Sequence, residues 1–159
     1  MNRLLSILIV NWHSRDYLRR CLETVAATCA DFAPQVIVVD GASFDGCDEM
    51  LSREFPAVKF IQSRENIGFG RSNNLGFAEV TTDAVLLLNP DTELRPGAVP
   101  RLMSVLDTMP QAGIVAGRLL NSDGALQTSC VQSFPTPLNQ ALDSGFLRNL
   151  PSLSYTLRV

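Results

Sequence analysis

Apolar runs and amphipathic stretches alternate along most of this chain. Residues 4–10 are strongly biased to Ile, Leu and Val, which predicts a strand covered on both faces. Ser14 is placed to cap the element that follows. Over residues 16–29, Leu18, Leu22, Val25 and Cys29 recur at helical spacing, with Arg15, Arg19, Arg20 and Glu23 off that stripe; this predicts an amphipathic helix. A second strand is predicted at 36–39, stopping at Asp40, and a helix at 45–54. A third strand is predicted at 58–61, followed by a glycine-bearing loop at 64–70 and a helix at 72–79. The fully apolar run 84–88 predicts a fourth strand. Pro96 and Gly97 then open a helix running to about Met109, since proline is tolerated in a first helical turn. A fifth strand is predicted at 113–116, and Asn121-Ser122-Asp123-Gly124 predicts the turn of a hairpin over 117–129.

Strands alternating with helices specify an α/β fold, a mostly parallel central sheet with helices on both faces. After Phe134 the pattern breaks up into Pro, Asn, Ser and Gly, with one weak helix candidate at 138–147. The expected organisation is therefore one domain over 1–135 and the start of a different region over 136–159.

Composition narrows the function classes. Of 159 residues, 46% are hydrophobic, enough for a sizeable core, while the 18% charged content is low for a fully solvated surface and leaves apolar surface for a further segment or partner. The net charge is −3 and Lys and Arg do not cluster, so the basic stripe of a nucleic-acid-binding protein is missing. Cys21, Cys29, Cys47 and Cys130 include no C-x-x-C pair and there is one histidine, which argues against structural zinc and for reduced thiols in a cytosolic protein. The first apolar run is too short to span a membrane, and no later run reaches that length.

Open α/β sheets bind ligands beyond the carboxyl ends of their strands. Four predicted strand ends carry polar residues: Asn11, Asp40, the loop containing Gly68, Gly70 and Arg71, and Asn89 with Asp91. Asp40 suits a ribose or base contact; the alternative is a cap for the loop that follows. Asn89-Pro90-Asp91 offers oxygen donors suited to Mg²⁺ or Mn²⁺, or is a plain β-turn. Gly68-Phe69-Gly70-Arg71 can let a diphosphate approach backbone N–H groups, with Arg71 adding charge. It is not the dinucleotide fingerprint, because position 73 is Asn. His13 is assigned to a surface or capping role and Trp12 to packing.

Taken in order, four segments resemble family 2 glycosyltransferases of GT-A fold, in the rhamnosyltransferase-like branch. They are residues 6–12 (SILIVNW), 38–46 (VVDGASFDG), 65–76 (ENIGFGRSNNLG) and 86–92 (LLLNPDT). Residues 119–129 (LLNSDGALQTS) resemble the family's later hairpin, so the likeness runs from about 4 to 135. Gly41, Phe44 and His13 stand where the family commonly has Asn, Thr and Asn, and Asn89 leaves its metal motif with one acid.

The resemblance implies an inverting, metal-assisted transfer of a sugar from a nucleoside-diphosphate donor, with dTDP-rhamnose suggested by this branch, to a glycan or lipid-linked acceptor in polysaccharide biosynthesis. It implies that Asp40 contacts the nucleobase or ribose, that Arg71 lies near the base or diphosphate, and that Asn11 and Asn74 belong to the nucleotide-sugar site. Asp91, beside Asn89, is implied to hold Mg²⁺ or Mn²⁺. No nucleic-acid partner is implied; the expected location is the cytoplasm, at the inner face of the membrane by peripheral association. Family members continue with a "GGFDE…EDxD" segment that carries the acceptor site and an acidic general base, and the resemblance places that base outside these 159 residues. The alternative is a truncated, non-catalytic nucleotide-sugar-binding module. A nucleotidyltransferase is disfavoured because Asn11-Trp12-His13-Ser14 is not a glycine-rich loop, and a receiver domain because paired acids at strand one are missing.

Overall fold

The computed structural model describes residues 4–127. The chain forms two compact units, Met1–Val115 and Ala116–Val159. In the first, the order is β1 (Leu5–Asn11), α1 (Arg15–Thr28), a 3₁₀ turn (Ala30–Phe32), β2 (Gln35–Asp40), α2 (Cys47–Glu54), β3 (Lys59–Gln62), α3 (Phe69–Phe77), β4 (Ala84–Leu88) and α4 (Ala98–Thr108). The sheet order is β3-β2-β1-β4 and every pairing is parallel. All four carboxyl ends therefore lie on one rim. Among the described residues, no helix is long and apolar enough to cross a membrane.

The alternation of side chains along a strand divides the core between two faces. On one face Leu5, Ile7, Ile9 and Val38 join Leu18, Cys21, Leu22 and Val25 of α1, Met50 and Leu51 of α2, and Val99 and Met103 of α4. On the other, Leu8, Ile37 and Val39 form a smaller cluster with Ile61, Val80 and Val85. That second face is covered by α3, which lies against β1 and β2. Its approach depends on Gly76: a Cβ built there would fall on Leu8 Cδ1 and lie 2.9 Å from Val39 Cγ2. Helices thus occupy both faces of a parallel sheet, as the sequence predicts.

Two local expectations are corrected. Residues 113–116 form no strand: the run is only three apolar residues between glycines, and Ile114 is 90% exposed, without a strand partner among the described residues. Ser14 does occupy the N-cap position of α1, but its hydroxyl donates to Trp12 C=O instead, at 2.9 Å. The N–H of Arg15 goes to Asp45 Oδ2 at 3.2 Å, a carboxylate from the β2–α2 loop.

The described part of the second unit is a tight hairpin. Leu120 bridges Leu126 in antiparallel fashion, Asn121 N–H donates to Ala125 C=O and Gln127 N–H to Leu119 C=O. Gly124, at φ 83°, supplies the left-handed residue that the turn requires. The last two residues of the predicted hairpin, the helix candidate at 138–147, the boundary at 135/136 and Cys130 lie outside the described residues. Cys21, Cys29 and Cys47 are free and buried.

Gly76→Ala is expected to lower stability by about 1–3 kcal/mol, because the added methyl overpacks the α3–sheet contact. Urea unfolding checks this; an unchanged midpoint would show that α3 does not need its close approach.

Candidate functional site

The strand register sets three polar residues side by side at the carboxyl rim: Asn11 pairs with Asp40 across β1 and β2, and Asp40 with Gln62 across β2 and β3. Asn11 and Asp40 are both 0% exposed. Asp40 Oδ1 accepts from Asn11 Nδ2 at 2.8 Å and from Ser43 Oγ at 2.7 Å. Its Oδ2 accepts from Ser43 N–H and from Gln62 Nε2, both at 2.8 Å. Burial alone would raise the pKa of this carboxyl, but the bonds from Ser43, Gln62 and Asn11 outweigh it and hold the group below its ordinary value. Asn11 Oδ1 is buried with no protein partner.

Ser43 carries this network into the loops. Its Oγ accepts the His13 N–H at 2.8 Å, joining the β1–α1 loop to the β2–α2 loop. His13, Ala42 and Phe44 sit at φ 50°, 62° and 50°, a left-handed conformation that is unfavourable for residues bearing a Cβ. The Asp40–Ser43 bonds hold the backbone there. Asp45 ties the same loops again, since its Oδ1 accepts Cys47 N–H at the start of α2 and its Oδ2 accepts Arg15 N–H at the start of α1. Ligand atoms of Asp40, Asp45 and Cys47 lie within 4.8 Å of one another. The donor set does not suit a cation, because the carboxylates are committed to N–H and O–H donors. Burial, and then the charges of Asp40 and Asp45, push the Cys47 thiol far up, so it keeps its proton.

In front of this buried layer lies an open cleft of about 940 Å³. Val10, Trp12, Ser14 and Tyr17 line it from the β1–α1 side, and Gly41 follows from β2. Asn66, Gly68, Phe69 and Ser72 line it from the β3–α3 side. Gly68 adopts φ 81° and ψ 162°, a region essentially restricted to glycine, and its N–H is fixed by Asn66 Oδ1 at 2.9 Å. This turn directs the start of α3 at the cleft, where the first N–H groups have no partner within the helix.

Asn89, Pro90 and Asp91 complete the lining beyond β4. They form a β-turn closed by Thr92 N–H to Asn89 C=O at 3.1 Å. Asn89 and Asp91 are exposed. Two oxygen-bearing side chains on one exposed turn fit Mg²⁺ or Mn²⁺, which take few protein carboxylates and complete their shells with water and phosphate oxygens. The buried Cys21 lies behind the turn; burial, and then the charges of Asp91 and Glu93, push its thiol up to about 12. Its S–H is therefore present to donate to Asn89 C=O, at 3.7 Å.

Of the residues singled out from sequence as ligand-binding, the cleft brings together Gly68, Asn89 and Asp91. Asn11 and Asp40 lie behind it as each other's partners. Arg71 and Asn74 are exposed on α3 and are not among the lining residues. The packing role read for Trp12 is corrected: it is 56% exposed in the cleft, with its ring 5.2 Å from that of His13. Sequence reasoning also passed over Tyr17 and Phe69, 59% and 61% exposed. The signal for Tyr17 was its place off the apolar stripe of Leu18, Leu22 and Val25, where a large aromatic has no packing role.

Because its folded-state pKa is depressed, Asp40 contributes stability that is fully present above about pH 4 and is lost as pH falls through the folded-state value. Asp40→Asn is expected to cost about 2–3 kcal/mol at pH 7, and the gap to the unsubstituted protein should narrow below about pH 4. Urea unfolding at both pH values checks this; a gap that stays constant would contradict the network.

Comparison with known proteins agrees with this geometry. Residues 6–154 match the family described as Glycosyl transferase family 2. The chain is 23% identical over 143 residues to an N-acetylglucosaminyl-diphospho-decaprenol L-rhamnosyltransferase of Mycobacterium tuberculosis, covering 83% of this chain and 46% of that protein. It is 28% identical over 159 residues to the low-salt glycan biosynthesis hexosyltransferase Agl10 of Haloferax volcanii, covering 97% and 48%. It thus spans about half the length of these relatives. Among solved structures, it resembles the mannosyltransferase PcManGT from Pyrobaculum calidifontis in complex with GDP-Man and Mn²⁺, with a TM-score of 0.59, 16% identity, and coverage of 65% of this chain and 32% of that one. That likeness is one of fold, the GT-A type. With the match spanning nearly all of its length, the chain belongs to glycosyl transferase family 2.

Proposed function

We propose that this chain is the donor-binding part of a glycosyltransferase that draws its sugar from a nucleoside diphosphate. The observation that carries the reading is the cleft itself. It lies at the carboxyl ends of a parallel sheet, with exposed aromatic rings on one side and the oxygen donors of Asn89 and Asp91 on another. Trp12 supplies a face for the nucleobase. Gly41 lets the nucleoside approach the backbone. The start of α3 favours the diphosphate, with Arg71 adding positive charge and Asn74 one turn further along. Asp91, with Asn89 beside it, holds Mg²⁺ or Mn²⁺, and such an ion offsets the negative charge of the departing nucleoside diphosphate. Asp40 and Asn11 serve the nucleoside end by holding the loops that carry Trp12 and Gly41.

The activities named for the relatives support the rest of the reading. A decaprenol-linked substrate in one of them favours a lipid-linked acceptor, met at the inner face of the membrane by peripheral association. The rhamnosyltransferase favours a rhamnosyl donor, for which the sequence resemblance implies dTDP-rhamnose and inverting transfer, and the GDP-Man and Mn²⁺ of the mannosyltransferase favour a divalent ion. On this reading residues 1–135 form the donor domain, and 136–159 begin the acceptor side. The alternative, a non-catalytic nucleotide-sugar-binding module, has one observation in its favour. Asp91 is the single acidic residue lining the cleft among the described residues, and a carboxylate that holds the metal cannot also take the acceptor proton. Transfer therefore requires a base from elsewhere in the polypeptide.

Asp91→Ala is expected to abolish the Mn²⁺-dependent part of the affinity for UDP, dTDP or GDP while leaving the metal-free part within about twofold, as fits loss of one oxygen ligand. Calorimetry with and without Mn²⁺ measures both; an unchanged metal effect in the variant removes Asp91 from the site.

A further inference from the structure

The turn that presents Asp91 is gripped from behind by one helix. At its start, Asn89 C=O accepts the Cys21 S–H at 3.7 Å. At its end, Leu94 N–H donates to Thr24 Oγ1 at 3.0 Å. Thr24 Oγ1 in turn donates to Cys21 C=O at 2.8 Å, which fixes the rotamer that receives Leu94. Cys21 and Thr24 are three residues apart on α1 and so share a face. Cys21 is 1% exposed, and Leu94 packs against the larger core cluster. Both ends of the segment 89–94 are thereby tied to the inward side of α1, while Asn89 and Asp91 stay exposed to the cleft. The same helix places Tyr17 in the cleft.

We propose that Cys21 and Thr24 are positioning residues for the diphosphate–cation end of the site, setting the turn so that Asp91 meets its ion already ordered. The proposal rests on the reading of Asp91 as the metal-holding residue. A single carboxylate gains from being held, because an ion bound through one protein acid has no second acid to correct its placement, and ordering a loose turn on binding weakens affinity. Thr24→Val keeps the shape of the side chain and removes both hydrogen bonds. Cys21→Ala removes the other tie. Thr24→Ser and Cys21→Ser keep the hydroxyl or supply one.

The test uses the 159-residue chain with UDP, dTDP and GDP in turn. Two quantities are measured: amide hydrogen exchange across residues 89–94, and nucleotide affinity with and without Mn²⁺. In Thr24→Val and Cys21→Ala, exchange at 91–94 should rise about tenfold with the sheet amides unchanged. The gain in affinity from Mn²⁺ should fall about tenfold, with the metal-free affinity unchanged, as loss of a preorganising contact implies. The Ser variants should recover most of both. Unchanged exchange and an unchanged Mn²⁺ effect would overturn the proposal. So would faster exchange spread evenly through the sheet, which marks a merely structural role. If the unsubstituted chain shows no Mn²⁺ effect at all, the reading of Asp91 is what fails, and the positioning role is overturned with it.

Discussion

A carboxylate with no access to solvent holds the functional rim together. Asp40 receives four hydrogen bonds from three segments of chain, two on each oxygen. Removing such an acceptor would strand buried donors at the end of β1 and in the loop after β2, and would release the exposed Gln62 at the end of β3. The consequences reach beyond the strand ends. Ser43, fixed by Asp40, receives the backbone of His13, and the two loops that meet there contain three non-glycine residues in left-handed conformations. Those conformations turn Trp12 out to the cleft and Gly41 in to line it. The fold thus divides its polar residues into two layers. The buried one is satisfied by the protein itself except at Asn11 Oδ1, and the exposed one is left for ligand.

The second layer is built on helix ends and turns. Asp45 caps α1 and α2 with its two oxygens, so both helices start from one fixed point beside the strand rim. From there α1 runs under the turn after β4, and its buried face carries the side chains that touch that turn. One departure from the family pattern has a local explanation. His13 adopts φ 50°, a left-handed position in which Asn and His are both enriched, so the exchange of one for the other is accommodated; Phe44, also at φ 50°, replaces the family's Thr without such an explanation. The hydrogen bonds around Ser43 hold those strained positions in place.

Much of the fold was legible because apolar periodicity reports burial directly. The runs at 4–10, 36–39, 58–61 and 84–88 each fall on a strand, and the stripe of Leu18, Leu22 and Val25 is the buried side of α1. The strand at 113–116 failed because a short apolar run reads the same whether or not a neighbour exists to pair with it. The position of the cleft was legible from the polar residues that end the strands, but which of them line it and which lie buried behind it was not. The donors to Asp40 come from residues 11, 43 and 62, and no local pattern brings those three together. Trp12 and Phe69 follow or open loops whose course depends on positive φ at His13 and Gly68, so their exposure could not be read from spacing. Cys21 was read only as one of four reduced thiols; its tie to Asn89 spans 68 residues of sequence.

On the proposed reading a cation and a nucleoside diphosphate meet this chain at the turn after β4, and Mn²⁺ reports its own position. Amide resonances of the labelled protein, recorded with a nucleoside diphosphate and substoichiometric Mn²⁺, broaden according to their distance from the bound ion. The account predicts broadening centred on residues 89–93 and reaching across the cleft to 66–72. Broadening centred on Asp45 and Cys47, or spread evenly over the surface, would contradict it.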